Sequence, residues 1–199
     1  MCLKTTKVYL LRHGLPEGDD CLRGHTDLAI TEQGQKQMFA ATEHLKLDVV
    51  ISSPLKRCLT FSHSYAQQHN LPVDTDIRFS EMDFGLWDGK PFDVLFSKYY
   101  DDVMAFFENP YKSPPPKGEN MKAFNARVQS AFIELCKKRC NQNILLVTHG
   151  GVMREIMHLA LGLEKGDPRL HKMIKLSYAS MIKMEVIEDN NLLYYNINM

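Results

Sequence analysis

The chain has 199 residues, 44% hydrophobic and 24% charged, with Lys plus Arg and Asp plus Glu balanced at 24 each. That length supports a full hydrophobic core, and zero net charge argues against general polyanion binding, so no nucleic-acid partner is expected; one local cationic pocket remains compatible with it. No apolar run approaches the roughly 18 residues of a membrane helix, and the opening MCLKTTKVYL lacks the long apolar segment and small-residue cleavage site of a signal peptide. The five cysteines, Cys2, Cys21, Cys58, Cys136 and Cys140, are odd in number and have no framework spacing; reduced thiols in a cytoplasm fit them. Cys136 and Cys140 share a helix face at i, i+4, but no His or Cys partner lies nearby in sequence. Packing rather than a metal pair is expected there.

In chain order, KVYLLR predicts a buried first strand. GLPEGDDCLRGHTD is a loop rich in glycine and acidic residues. Thr31 is placed to cap a helix reaching about Leu45, with Met38, Ala41 and Leu45 on one face. LDVVIS reads as a second strand. Ser53 then caps a helix with Pro54 at its first position and Leu55, Cys58, Leu59 and Ser62 as its inner stripe. Residues 71–89 read as extended or irregular. Pro91 opens an aromatic-rich segment reaching Phe107, and ENPYKSPPPKGEN is a proline-rich loop. Met121, Phe124, Val128, Ala131 and Leu135 are in phase for a long helix. NILLVTHGG is a buried strand, and Val152, Ile156, Leu159 and Ala160 mark an amphipathic helix. Met173 to Asn198 alternates enough for two or three strands, with EDNN as a hairpin turn. The alternation implies an α/β fold, a three-layer sandwich with a mostly parallel central sheet. One domain over 1–199 is expected, with an insertion or lid at about 84–117.

Two strands end on histidine. Arg12, His13 and Gly14 close the first, and His149, Gly150 and Gly151 close the ILLVT strand. Ligands in open α/β sheets sit outside the carboxyl ends of the strands. Arg57, in the first turn after the second strand, joins the same rim. Two arginines, two histidines and the helix start near Gly150 would form an anion hole, and glycines after each histidine let backbone approach a ligand closely. The anion expected is a phosphoryl group, because guanidinium forks match phosphate oxygens at two points. A neutral imidazole attacks phosphorus, and neighbouring guanidinium charges keep His13 neutral. A poor leaving alkoxide needs a proton; FSEMDFGLWDG offers Glu81 and Asp83.

On these blocks the chain resembles the histidine phosphatase superfamily, the phosphoglycerate mutase-like family. The matching blocks are Arg12-His13-Gly14, SSPLKRC around Arg57, SEMDFGLWDG around Glu81 and THGGVMR around His149, in order over most of the chain. CLRGHTDLAITEQG, the PKGEN turn and FNARV are similar to the alpha-ribazole phosphatase branch. The resemblance implies transient phosphorylation of His13. Arg12, Arg57, His149 and the Gly150 end of its helix would hold phosphoryl oxygens, and Glu81 would be the proton donor. It also implies substrate contact at Arg23 and Gly24, and no cofactor or metal, since cationic side chains take that part. The expected partner is a small-molecule phosphate ester, with alpha-ribazole 5′-phosphate first and sugar phosphates or nucleotides as competitors. A mutase and a non-catalytic phosphate-binding module are the other readings. Many relatives carry Glu after the triplet and Asn a few residues on; here Leu15 follows and Asp19 falls near the Asn position, so the substrate side of the pocket differs.

Rival chemistries fail on spacing. VDTDIRF lacks the residue that follows an Asp-x-Asp phosphatase pair and ends no buried strand. GLWDGKP is one residue short of a P-loop. No cysteine has an arginine six positions on, and no Gly-x-Ser-x-Gly elbow exists. The aromatics Trp87, Phe92, Phe96, Tyr99, Tyr100, Phe106 and Phe107 read either as a small core holding the insertion or as a lid that stacks a flat substrate group. His25, His44, His63, His69, His158 and His171 read as surface or packing residues.

Overall fold

The computed structural model describes residues 4–18, 20–164 and 166–198. Asp19 lies outside them. Strand β1 (Lys4–Arg12) leads into helix α1 (Glu32–Thr42), strand β2 (Val49–Ser52), helix α2 (Lys56–His69) and the short strand β3 (Val73–Thr75). Helices α3 (Phe92–Glu108) and α4 (Met121–Lys138) precede strand β4 (Asn143–Thr148). Helix α5 (Gly150–Ala160), the short helix α6 (Arg169–Met173) and the hairpin β5 (Met181–Asp189) and β6 (Leu192–Asn198) complete the order.

The described strands form a six-stranded sheet in the order β3-β2-β4-β1-β5-β6. The pairs β2/β3, β2/β4 and β1/β4 are parallel; β1/β5 and β5/β6 are antiparallel. The central strands are buried on both faces, which is why they read as continuous apolar runs. Leu10, Ile51 and Leu146 face a core shared with Phe124, Val128 and Phe132 of α4 and Val152 and Ile156 of α5. Leu11, Val50, Leu145 and Val147 face the other way, onto Met38 of α1 and Cys58, Phe61 and Tyr65 of α2. This is the expected α/β architecture with helices on both faces of the sheet. The hairpin turns through Asn190 and Asn191, both at positive φ (50° and 65°), as a two-residue primed turn requires.

Several local expectations need correction. Thr31 caps α1 by accepting from Gly34 N at 2.9 Å, but the helix ends at Thr42, short of Leu45. Helix α2 begins at Lys56 with Leu55 as its N-cap residue, so neither Ser53 nor Pro54 starts it. Its first orphan N–H is met from afar, by Asp27 Oδ1 accepting from Lys56 N at 2.7 Å. Leu55 and Leu59 are only half-buried; the inner stripe is Arg57, Cys58, Phe61, Ser62, Tyr65 and Ala66. The aromatic segment is a helix that bends at Tyr99 (φ −136°, ψ 30°). Trp87, Leu95 and Phe106 join the core, whereas Phe96, Tyr100 and Phe107 are exposed.

Candidate active site

The register of β1 against β4 creates the centre. Arg12 lies opposite Thr148, so His13 and His149 leave neighbouring strands side by side, and His13 N donates to Thr148 O at 2.9 Å. Their rings stand 5.3 Å apart, centroid to centroid, at 60°. His13 is 5% exposed, and His149 and Arg57 are fully buried. Burial first, and then the Arg57 and Arg12 charges, hold the His13 imidazole well below its ordinary range. Burial and Arg57 do the same to His149. The guanidinium effect expected from the sequence is present, with burial as the larger cause.

The His13 tautomer follows from its partner. Nδ1 lies 2.9 Å from Gly14 O, and a carbonyl only accepts, so the neutral ring carries its hydrogen on Nδ1. That leaves the lone pair on Nε2. His149 Nε2 sits 2.8 Å from Ser53 Oγ. The hydroxyl expected to cap a helix thus supports the second imidazole. Cys58 Sγ also approaches His149, at 3.6 Å, but burial pushes its thiol up to about 12, far from thiolate chemistry.

Each arginine is aimed by main-chain oxygens. Arg12 donates from Nη1 to Leu176 O and lies over the Tyr178 ring, 4.3 Å from its centroid. Arg57 donates to Thr26 O and Gly24 O at 3.0 and 2.7 Å. The Nε atoms of Arg12 and Arg57 are buried without a hydrogen-bond partner, which marks both as waiting for an acceptor. Arg23 donates to Gly18 O at 3.3 Å, and its charge is felt at His13. Gly24 has its polar groups already engaged: its N donates to Asp88 Oδ1 at 3.1 Å and its carbonyl accepts from Arg57. It therefore supports Arg57.

Asp88 was not singled out in the sequence. Its carboxylate accepts from the backbone N–H of Gly24, His25 and Thr26 at 3.1, 2.6 and 3.1 Å. Burial works against its ionisation, but the hydrogen bonds from Thr26 and these N–H groups outweigh it and hold the carboxyl below its usual range. Through Asp88, GLWDGKP, too short for a P-loop, clamps the loop that aims Arg57.

Glu81 faces the start of α5. Its Oε2 accepts from Gly151 N at 3.0 Å and its Oε1 from Met82 N at 3.0 Å. A Cβ on residue 151 would stand 2.3 Å from Glu81 Oε1, so the second glycine of the motif makes room for this carboxylate. Gly14 differs from expectation: its missing Cβ admits Gly34 O, which would be 2.1 Å away, so that glycine serves the packing of α1. Asp83 accepts from Gly85 N and shapes a turn. His25 Nε2 lies 3.0 Å from Glu81 O, although the sequence had placed it among bystanders. Beyond Glu81 opens a cavity of about 230 Å³, bounded by Leu22, Phe84, Phe106 and Phe107 and, on the polar side, by Arg154 and His171. Among the described residues no group of three or more His, Cys, Asp or Glu could hold a metal, and none of their helices is long and apolar enough to cross a membrane.

The family model of the histidine phosphatase superfamily, branch 1, matches residues 8–198. Phosphoserine phosphatase 1 of Hydrogenobacter thermophilus is 32% identical over 163 residues, covering 79% of this chain and 77% of that protein. The adenosylcobalamin/alpha-ribazole phosphatase of Escherichia coli is 26% identical over 162 residues, covering 79% of this chain and 80% of that protein. A mycobacterial glucosyl-3-phosphoglycerate phosphatase shares the fold at TM-score 0.86 and 20% identity, over 98% of both chains. With paired His-Gly strand ends and this match along nearly its whole length, the chain belongs to the histidine phosphatase superfamily and is a histidine-type phosphatase.

Proposed function

We propose that this phosphatase hydrolyses small phosphate monoesters in two displacements through a phosphorylated His13. His13 Nε2 attacks phosphorus, the P–O bond to the alcohol breaks, and Glu81 gives its proton to the departing oxygen. Water then attacks the phosphohistidine, Glu81 takes its proton, the N–P bond breaks and phosphate leaves. Arg12, Arg57, His149 and the N–H end of α5 at Gly150 carry the charge on the equatorial oxygens, with Arg23 at the substrate side. The observation that carries the reading is the hydrogen bond from His13 Nδ1 to Gly14 O, which leaves Nε2 as the nitrogen with the lone pair in a ring that burial and the Arg57 and Arg12 charges keep neutral. The test is turnover of p-nitrophenyl phosphate in EDTA, with acid-quench trapping of phosphate on residue 13. Full activity of His13→Ala, or complete loss of activity in chelator, rejects the scheme.

For the alcohol, the loop CLRGHTDLAITEQG and the Escherichia coli relative support alpha-ribazole 5′-phosphate, which would place the reaction in assembly of the cobalamin lower ligand. Phosphoserine is the second reading, supported by the 32% identical relative. Phosphate release from both, beside 3-phosphoglycerate, fructose bisphosphates and nucleoside monophosphates, separates them. The four described cysteines are free thiols, consistent with a reducing, cytoplasmic setting.

A further inference from the structure

The cavity beyond Glu81 is lined by Glu81 itself, the group that protonates the leaving alcohol in the scheme above. Its wall is largely apolar, and besides Glu81 only two lining side chains can carry charge, Arg154 and His171. Arg154 is half-buried on α5. Its Nε and Nη2 both donate to Ile174 O, at 3.2 and 2.9 Å. Nη1 stands on the far edge of that fork. A Cβ on Gly150 would lie 3.4 Å from Arg154 Nη1 and 3.6 Å from Arg12 Nε, so the two guanidinium groups converge on one spot above the helix start.

No carboxylate of the described residues is within salt-bridge distance of Arg12, Arg57 or Arg154. A phosphate dianion answers two of these cations. When Glu81 carries the proton it must donate, the third has no counter-charge, and an unpaired cation in an apolar wall is costly. The arrangement is also held in place. Glu155, the next residue on α5 and fully buried, accepts from Asn125 Nδ2 and pairs with His171 Nε2 at 2.9 Å. That pairing ties down α6, and Ile174, the residue that caps its C-terminal end, supplies the carbonyl that orients Arg154.

We propose that Arg154 is a specificity residue that binds a carboxylate on the leaving alcohol, so that the preferred substrates are phosphate esters of hydroxy acids. Leu22, Phe84, Phe106 and Phe107 enclose the carbon skeleton, and a neutral nucleoside leaves Arg154 without its anion. The inference rests on the phosphohistidine reading and chooses between its two alcohols.

The test uses pairs of esters that differ at the carboxylate: phosphoserine against phosphoethanolamine, and 3-phosphoglycerate against glycerol 3-phosphate. Wild-type kcat/KM is expected to favour the carboxylated member of each pair by about tenfold or more, the scale of a charged hydrogen bond. Arg154→Gln is expected to bring both ratios close to one. Competition needs no variant: glycerate is expected to inhibit p-nitrophenyl phosphate turnover at about one tenth the concentration glycerol needs. Equal wild-type rates within the pairs, ratios unchanged in Arg154→Gln, or equal inhibition by glycerate and glycerol would each overturn the proposal. His13-dependent turnover of p-nitrophenyl phosphate reports on the phosphohistidine reading independently.

Discussion

Arg127 Nη2 donates to the main-chain oxygen of Glu81 at 3.0 Å, while its Nη1 holds Arg78 O and Ser80 O at 2.7 and 2.8 Å. Glu119 grips the other edge of the same guanidinium at 2.7 and 2.8 Å. One side chain of α4 therefore fixes the extended segment that presents Glu81. Arg127→Ala frees that segment and strands its carbonyls. It is expected to lower kcat on alkyl phosphates about tenfold to a hundredfold, the cost of misplacing a group by about an ångström. A thermal melt should show a loss of about 1–3 kcal/mol. Unchanged kcat would mean that Glu81 holds its place without this clamp.

Asp88 acts on the other wall. Asp88→Ala removes the acceptor for three consecutive backbone N–H groups, and the loop whose carbonyls aim Arg57 loses its anchor. Inorganic phosphate is expected to inhibit the variant about tenfold more weakly, equivalent to about 1.4 kcal/mol. An inhibition constant equal to that of the wild type would show that Arg57 is aimed by its helix alone.

Glu81→Gln keeps the shape of the side chain and removes the transferable proton. Turnover of alkyl phosphates is expected to fall by about 10²–10⁴, the usual share of general acid catalysis. Hydrolysis of p-nitrophenyl phosphate, whose phenolate leaves without help, should fall much less. The wild-type rate is expected to follow a bell with its maximum between mildly acidic and neutral pH. Its acid limb reflects protonation of His13. Equal losses on both substrates would remove Glu81 from the acid role, and a rate that does not fall at acid pH would count against a neutral His13 as the nucleophile.

Stability should share the acid sensitivity. His13 and His149 are both depressed by burial and by neighbouring guanidinium groups. Below about pH 6.5 the unfolded chain binds protons that the folded sites refuse, so stability falls as pH drops. Each histidine contributes up to about 1.4 kcal/mol per pH unit until its folded value is reached. Above about pH 7 the contribution is flat. Thermal midpoints from pH 7.5 to 5 measure it. His149→Gln should reduce the slope, and a slope unchanged by that substitution would locate the sensitivity elsewhere.

Much of the architecture was legible in local pattern. Val8, Leu10 and Leu11 of KVYLLR and nearly all of NILLVT are buried, so hydropathy alone marked both runs as buried strands. Thr31, three residues before Gly34, announced α1 through chemistry contained in four residues. The start of α2 was misread because its cap comes from Asp27, a partner that no local window contains. His25 and Asp88 escaped notice for the same reason: each works on a segment more than fifty residues away. The reading of Ser53 failed because a hydroxyl beside a helix start satisfies a cap rule whether it faces the backbone or an imidazole.

By itself the sequence determined the central strands, most of the long helices and which residue types end the strands, because propensity, periodicity and turn chemistry act over a few neighbours; α3 and α6 it left unassigned. Only the tertiary structure decided which of those ends meet. The pairing of Arg12 with Thr148 puts His13 beside His149, and the approach of α5 sets Gly151 against Glu81. Hydrogen bonds and charges act through space over a few ångströms, so the tautomer of His13, the aim of Arg57 and the orientation of Arg154 exist only once residues distant in the chain have been packed together.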